Sequence, residues 1–292
     1  MTTLRPRALA VKSSLKELFT FYDANAANLH NQINIFSNFM AYAICTVPVA
    51  PVRTEPAHRT EMSNQLFFGD TMEILEEKEE WIRIRSLFDD YEGWLTNHLI
   101  KDIDEKTALI SPTHIASKLV NVLKYRGETL NIPMCSPLKG FDTKTKKLWE
   151  ENYILEGDAR EIPVQPDPSQ IITTARLWLN SPYLWGGKTL MGVDCSGFVQ
   201  TVYRYNGIKL KRDAWQQAEN GVSIDINNSR STDVAFFHNE KGRVVHVGIL
   251  LEPDKIIHAS GKVRIDQFDK DGILNTENGK RTHQLHSIKR FF

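Results

Sequence analysis

The stretch that decides the fold is GVDCSGF at residues 192–198, which follows SPYLWGG at residues 181–187. Apolar residues then recur at the spacing of one helix face: Phe198, Val199 and Val202. The Asn-Gly pair at residues 206–207 is typical of a helix end. The sequence therefore predicts a helix from about Cys195 to Tyr205 with a thiol in its first turn.

The surroundings of Cys195 favour a nucleophile. A thiol at a helix N-terminus lies near the positive end of the helix dipole, which lowers its pKa and favours the thiolate. The free N–H groups of that turn can stabilise an oxyanion, and Gly192 and Gly197 are expected to leave room for a substrate backbone. A buried, inert thiol is the commoner fate of a cysteine. The polar neighbours Asp194 and Ser196 favour the catalytic alternative.

The candidate base is His246, which lies in the apolar run VVHVGILL at residues 244–251. A histidine there is costly unless it has a partner or a chemical role. A turn at residues 252–254 separates this run from KIIHAS at residues 255–260. An antiparallel hairpin centred near Glu252 would place His246 and His258 directly opposite each other. Nucleophile, base and orienting group would then be Cys195, His246 and His258.

Two alternatives to this catalytic interpretation remain open at this point. His246 can be a core histidine whose hydrogen bonds are satisfied internally. Cys195, His246 and His258 can also form a metal site. The metal interpretation is the weaker one, because the thiol lies at a helix start that already suits a nucleophile.

Composition restricts the classes of partner and compartment. The formal net charge is zero, which argues against nucleic acid or an anionic membrane as partner. The three cysteines, Cys45, Cys135 and Cys195, are scattered, so we expect neither a disulfide framework nor structural zinc. Such usage fits a reducing compartment. No signal peptide or membrane span is evident, and we expect a cytoplasmic protein.

The 292 residues predict two or three domains. Residues 1–40 read as an N-terminal extension that is helical. Residues 41–104 carry short apolar runs such as WIRIR at 81–85, and five such strands predict a small β-barrel. Residues 105–165 predict a second small β domain plus a linker. Residues 166–292 begin with helices and end with strands, so the fold class is α+β.

These motifs together closely resemble the NlpC-type cell-wall cysteine peptidases. The resemblance rests on Tyr183-x-Trp-Gly-Gly, Asp194-Cys-Ser-Gly-Phe, His246-Val-Gly-Ile and Ile257-His-Ala, and it covers most of residues 166–292. The stretches VRTEP (52–56), LFFGD (66–70) and YEGW (91–94) resemble bacterial SH3-like domains. The region 105–160 matches an SH3-like barrel more weakly. Its expected role is packing.

The resemblance implies a papain-like domain preceded by one or two small SH3-like barrels. The whole architecture is similar to the γ-D-glutamyl-L-diamino acid endopeptidases, also called dipeptidyl-peptidase VI. The similarity to these enzymes implies cleavage of the γ-D-Glu–diamino acid bond in the murein peptide L-Ala-γ-D-Glu-(diaminopimelate or Lys) with a free N-terminal L-Ala. No metal or organic cofactor would be required.

By the same similarity, Asp194 and Ser196 would hold the N-terminal end of the substrate, and Tyr183 would face the oxyanion. Trp185 would line the pocket, although plain packing is an alternative for it.

From the first barrel, Glu55 and Tyr91 would close the site around the ammonium group, with Glu61 as an alternative to Glu55. Tyr91 can equally belong to the barrel core. Ala214 stands where some relatives have serine, so no polar contact is expected there.

Two other functions compete with recycling of free murein peptides. One is an exported lytic enzyme that acts on polymeric cell wall and tolerates a blocked N-terminus. The other is a non-catalytic wall-binding module, because SH3-like barrels often tether proteins. Loss of the cysteine or of a histidine would mark that module, and this sequence retains them.

Overall fold

The computed structural model describes residues 41–150 and 152–292. The helical extension expected over residues 1–40 lies outside the described residues. No helix within the described part of the chain is both long enough and apolar enough to cross a membrane.

The first β unit, residues 41–103, is a seven-stranded antiparallel sheet with strand order β3-β2-β6-β5-β4-β1-β7. The sequence predicted five strands here. The strands are β1 Ala41–Cys45, β2 Val49–Arg53, β3 Met62–Phe67, β4 Thr71–Lys78, β5 Trp81–Ser86, β6 Glu92–Thr96 and β7 Ile100–Ile103. A 3-10 turn at Asn97–Leu99 precedes the last strand. Strand β5 shows why these residues form a sheet with one buried face. Ile82 and Ile84 are buried, while Arg83 and Arg85 alternate onto the more exposed face.

The second β unit, residues 105–161, starts with the short helix α1, Glu105–Ala108, which Asp104 caps by accepting a hydrogen bond from the Thr107 N–H. Its strands form a three-stranded sheet, β10-β9-β11, and a two-stranded sheet, β12-β8. Their bounds are β8 His114–Ala116, β9 Val120–Tyr125, β10 Glu128–Pro133, β11 Tyr153–Glu156 and β12 Ala159–Glu161. Phe68 of the first unit is fully buried among Leu123, Leu138 and Tyr153, so the two units share a core.

The C-terminal region contains three helices, which lie before its longer strands. Asp167 caps α2 (Pro168–Arg176) by accepting a hydrogen bond from the Ser169 N–H. Helix α3, Cys195–Tyr205, is confirmed, and α4 covers Ala214–Ala218. The strands are β13 Lys188–Thr189, β14 Gly192–Val193, β15 Val222–Ile224, β16 Val234–His238, β17 Val244–Glu252, β18 Lys255–Ser260, β19 Lys262–Asp269, β20 Gly272–Leu274 and β21 Arg281–Arg290; a 3-10 turn covers Ile226–Asn228.

Strands β16 to β21 close into a six-stranded antiparallel barrel. They pair in the order β21-β16-β17-β18-β19-β20, and β20 pairs back with β21. Inside the barrel, one end is filled by apolar side chains that include Phe237, Leu250 and Phe268. The outer face, which includes Val247 and Ile249, packs on α2 and α3. This alternation sends the odd and even residues of β17 to opposite sides of the barrel wall.

A buried ion pair joins the peptidase-side helix α3 to the first β unit. Arg204 near the end of α3 bonds both carboxylate oxygens of Asp70, at 2.5 and 3.3 Å. Burial would raise the pKa of the Asp70 carboxyl, but the Arg204 guanidinium outweighs burial and holds that pKa below its usual value. Gln200, one turn earlier, donates to the buried Asp89 at 2.8 Å. The helix that carries Cys195 is therefore fixed to the first β unit at two points.

Replacing Arg204 by methionine leaves Asp70 buried without its counter-charge. We expect a loss of about 3–5 kcal/mol in the free energy of unfolding, measured by chemical denaturation. Lys211→Met is the matched control, because Lys211 pairs with the exposed Asp90 and a surface pair contributes less than about 1 kcal/mol. Equal losses in the two variants would contradict the role given to the buried pair.

Candidate active site

Cys195 is the first residue of α3, and its side chain is 5% exposed. Asp194 is the N-cap, with extended backbone angles and a side chain that accepts from the Gly197 N–H at 2.7 Å. The main-chain N–H of Cys195 belongs to the first turn, whose N–H groups have no acceptor within the helix. The thiol therefore lies where a bound carbonyl oxygen could meet free N–H donors.

The resting thiol is protonated. Burial raises the pKa of Cys195 to about 12, and Asp194 acts in the same direction. Arg212 and the backbone N–H groups of Ser196 and Val247 oppose this rise without cancelling it. The prediction of a resting thiolate was therefore wrong, because burial outweighs the favourable position at the helix start. A base must take the proton as the sulfur attacks.

The glycines around Cys195 serve the chain itself. A Cβ at Gly197 would stand 2.4 Å from the Gly187 carbonyl oxygen, and one at Gly192 would stand 2.7 Å from the Leu184 side chain. The expectation that Gly192 and Gly197 leave room for a substrate backbone was thus wrong. They are small because two segments of this chain pass each other closely.

A ladder of hydrogen bonds crosses one end of the barrel interior. His246 Nε2 lies 2.8 Å from His258 Nδ1, and His258 Nε2 lies 3.0 Å from Asp266 Oδ2. All three side chains are buried. Val247, the residue after His246, supplies the backbone N–H that faces the Cys195 thiol. The strand that carries His246 therefore packs against the start of α3, next to the thiol.

The ladder determines which nitrogen of each ring carries a proton. Because the Asp266 carboxylate only accepts, His258 donates from Nε2 and is left with a lone pair on Nδ1. His246 then donates from Nε2 to that lone pair, and its own Nδ1 is free to accept a proton. Burial lowers the pKa of His246 well below its usual value, with His258 and His283 adding to the effect. His246 is accordingly a neutral base at neutral pH.

The two histidines are not directly opposite each other, as the hairpin reasoning predicted. The register pairs His258 with Gly248, and a bulge lies between Leu250 and Glu252. His258 reaches His246 diagonally across Gly248, where an added Cβ would come within 2.8 Å of the His258 Cβ. The missing side chain at Gly248 is what allows the two rings to touch.

Asp266 was not predicted from the sequence, and it is held from several sides. Its Oδ1 accepts from Arg264 at 3.0 Å and from the backbone and hydroxyl of Thr276 at 2.9 Å each. Burial would raise the pKa of this carboxyl, but the bonds from His258, Thr276 and Arg264 hold it well below its usual value. Asp266 therefore stays ionised and continues to accept from His258.

Asp194 and Ser196, the predicted substrate contacts, form an internal network instead. Asp194 accepts from the N–H groups of Gly186 and Gly197 and from two nitrogens of Arg212, at 3.1 and 2.5 Å. Ser196 Oγ accepts from Arg212 at 2.9 Å and contacts Asp194. These bonds occupy the lone pairs of the Asp194 carboxylate. Both side chains thus hold the helix start, and the expected contact with the substrate terminus finds no free oxygen lone pair on Asp194.

Arg212 was not predicted as a site residue, and it organises this network. The side chain is 1% exposed and also donates to Asn64 of the first β unit at 2.9 Å. A basic residue that follows the nucleophile helix was a visible signal. Its partner Asn64 lies 148 positions away along the chain, and no local pattern could reveal that pairing.

Tyr183 and Trp185 lie on the segment before the nucleophile. Tyr183 is half-buried, and burial raises the pKa of its hydroxyl, with Cys195 and Asp194 acting in the same direction. This places Tyr183 beside the thiol. Trp185 is 58% exposed, and its indole N–H donates to Glu61. Trp185 therefore faces solvent, where it forms a wall together with Glu61. Packing in a core does not account for a tryptophan at this position.

Glu61 of the first β unit contacts Trp185, whereas Glu55 is exposed. Glu55 lies in the loop between β2 and β3, where its side chain is exposed. Glu61 directly precedes β3, whose Met62 carbonyl packs so closely on Gly186 that an added Cβ would stand 2.3 Å away. That contact sets Trp185 beside Glu61. Of the two predicted carboxylates, Glu61 is the one that contacts Trp185.

Tyr91 lies between the core of the first β unit and the surroundings of Arg212. Its ring packs on the core of the first β unit. Burial raises the pKa of its hydroxyl, which interacts with Ser63 and lies near Asp213 and Arg212. Asp213 was not predicted as a site residue; burial raises its pKa, and Arg212 opposes this rise. Ala214, the next residue, is buried and apolar, as expected.

Metal ligation finds no support in the described part of the chain. Among residues 41–150 and 152–292, no group of three His, Cys, Asp or Glu side chains is arranged to hold a metal ion. The hydrogen bonds of His246 and His258 run to each other and to Asp266. Their geometry fits the relay of a nucleophile and base.

A buried thiol at a helix start, facing a histidine relay on a β-barrel, defines a papain-like cysteine peptidase. Residues 180–281 match the model of the NlpC/P60 family, and residues 52–99 match that of the bacterial dipeptidyl-peptidase SH3 domain. The "Probable endopeptidase NlpC" of Escherichia coli is 36% identical over 103 residues, which cover 35% of this chain and 67% of that protein. The chain belongs to the NlpC/P60 family and is a peptidase.

Two further proteins match most of the chain. The "Gamma-D-glutamyl-L-lysine dipeptidyl-peptidase" of Bacillus subtilis is 28% identical over 218 residues, or 68% of this chain and 72% of that protein. A solved NlpC/P60 family protein from Bacillus cereus superposes with a TM-score of 0.70 at 20% identity. It covers 86% of this chain and 99% of its own. The fold is therefore that of a papain-like domain preceded by an SH3-like domain.

Asp266→Asn tests the relay. An asparagine amide can donate to His258, which favours the reversed tautomers and places a proton on His246 Nδ1. By analogy with other base-orienting aspartates, we expect kcat to fall by about a hundredfold or more. Alkylation of Cys195 by iodoacetamide, followed by mass spectrometry, should slow in parallel.

Asp269→Asn on the same strand is the control, because Asp269 pairs with the exposed Arg281. Circular dichroism checks that both variants fold. An Asp266→Asn enzyme that is as active as the control would contradict the tautomer assignment.

Proposed function

We propose that this protein is a cysteine peptidase that hydrolyses the γ-D-Glu–diamino acid bond of murein stem peptides with a free N-terminal L-Ala. The observation that carries the proposal is the wall formed across domains by Glu61 and Trp185, a residue of the segment that leads to Cys195. An ammonium group needs a carboxylate partner in such a partly closed site. A chain that continued beyond the L-Ala nitrogen would meet this wall.

The reaction follows from the relay. Cys195 Sγ attacks the γ-carbonyl carbon as its proton passes to His246 Nδ1. The tetrahedral oxyanion accepts from the Cys195 N–H, with Tyr183 on the other side. His246 then gives the proton to the leaving amine, which departs as the diamino acid or the peptide that begins with it. Water, deprotonated by His246, hydrolyses the thioester and releases L-Ala-γ-D-Glu.

The matching proteins support the substrate class. One relative is named for the γ-D-glutamyl-L-lysine bond, and "Dipeptidyl-peptidase 6" of Lysinibacillus sphaericus is 24% identical over 262 residues, or 80% of this chain and 93% of that protein. Removal of a dipeptide from free stem peptides suits the recycling of cell-wall fragments in the cytoplasm. We include that location and role in the proposal.

Cys195→Ala should abolish hydrolysis of the free tripeptide L-Ala-γ-D-Glu-diaminopimelate while the protein remains folded, because the nucleophile alone is lost. Mass spectrometry of the products and circular dichroism measure the two properties. Cys135→Ala is the matched control, since Cys135 is buried against the Thr201 carbonyl on the far side of α3 from the thiol. Hydrolysis of the tripeptide by the purified Cys195→Ala variant would contradict the proposed mechanism.

Glu61→Gln removes the negative charge from the proposed ammonium site. We expect KM for the free tripeptide to rise about tenfold with a smaller change in kcat, because a charge-assisted bond to the substrate is lost. Glu55→Gln should leave KM unchanged. N-acetylated tripeptide should be a poor substrate for the wild type. Efficient cleavage of the acetylated or muramyl-linked peptide would instead favour an enzyme that acts on polymeric cell wall.

A further inference from the structure

His283 lies on β21, and its ring is stacked on the ring of the base His246. The two ring centroids are 4.1 Å apart, and the planes differ by 23°. His283 is half-buried, whereas His246 is 5% exposed, so His283 covers one face of the buried ring. Its Nδ1 bonds the Thr282 hydroxyl at 2.8 Å. The proposed reaction assigns no step to this residue.

The stack supplies a constraint that the hydrogen-bond ladder lacks. The bond from His246 Nε2 to His258 fixes the direction of one nitrogen, but a single bond leaves the ring free to turn about that line. A second ring lying flat on His246 fixes the plane. Phe237, whose ring lies 5.9 Å from His246 and 6.1 Å from His283, supports the pair from the barrel interior. Together these contacts aim Nδ1.

The charge of His283 also bears on the reaction, because His246 becomes a cation during each turnover. Burial lowers the pKa of His283 to about 4; His258 on β18 adds to this, and Asp266 on β19 opposes it. The residues that face it from β16 and β20 are the apolar Phe237 and Ile273. Positive charge on His283 would repel the imidazolium, so His283 contributes to the lowered pKa of His246.

We propose that His283 is a positioning residue for catalysis, which holds the plane of the His246 ring so that Nδ1 stays in the orientation in which it accepts the Cys195 proton. This inference rests on the proposed roles of Cys195 and His246. It assigns no substrate contact to His283, which acts through His246.

Two substitutions separate the stack from the titratable group. His283→Ala removes the ring, and we expect kcat to fall about tenfold with little change in KM. His283→Phe restores a flat aromatic ring and should recover most of the lost kcat. His286→Ala on the same strand is the control, because His286 is exposed and lies beside His238, away from the ladder. Circular dichroism confirms that each variant is folded.

The pH profile provides a readout that a purely structural role would not change. In the wild type, His283 lowers the pKa of His246, and activity is lost at acid pH where His246 itself takes up a proton. Phenylalanine carries no charge and cannot lower that pKa by repulsion. The acid limb of kcat should therefore move to higher pH in His283→Phe, and alkylation of Cys195 by iodoacetamide should show the same displacement.

The inference is overturned if His283→Ala keeps the wild-type kcat, if His283→Phe is as impaired as His283→Ala, or if the acid limbs of wild type and His283→Phe coincide. The alkylation rate depends on the thiol and its base and needs no substrate. Failure of the proposed substrate would therefore leave this test intact. Turnover by Cys195→Ala would remove the catalytic assignment itself.

Discussion

The buried ion pair between Arg212 and Asp194 is the interaction on which the site depends. Asp194 caps the nucleophile helix, and Arg212 ties that cap to Ser196 and to Asn64 of the first β unit. Both charges are buried, and each would be strongly destabilising without the other. Removal of one partner from such a pair lowers the free energy of unfolding by about 3–5 kcal/mol. The position of Cys195 and the packing of the SH3-like domain are therefore set by one guanidinium group. A catalytic domain freed from that partner would expose Arg212 together with the start of α3.

The closed barrel imposes the second constraint. Its interior is apolar at one end and carries His246, His258 and Asp266 at the other. Polar groups in such an interior must bond one another, because no solvent reaches them. A linear ladder that ends on an ionised carboxylate meets this requirement and fixes the tautomers at the same time. Gly248 is part of this arrangement, since a side chain there would separate the two rings.

Local signals predicted the elements and the reacting pair, and long-range geometry determined the rest. The helix start at Cys195 and the strands around His246 have periodicities that a sequence shows directly. The hairpin bulge shifted the register, so the contact with His258 was right but its geometry was wrong. Asp266 lies on a further strand, and Arg212 acts through a distant asparagine. Glu61 and Glu55 could not be separated by sequence, because which end of a loop faces the neighbouring domain is a tertiary property.

Burial explains both why the thiol rests protonated and why a relay is needed. The same low-polarity surroundings raise the pKa of Cys195 and lower that of His246, so the neutral pair is the stable resting state. Forming the ion pair there requires groups that favour the imidazolium more than the resting imidazole. The chain through His258 to the Asp266 carboxylate provides such stabilisation from one edge of the ring. The thiolate–imidazolium pair thus forms only when a substrate carbonyl is in place. The burial that keeps the thiol protonated also suppresses its side reactions in the absence of substrate.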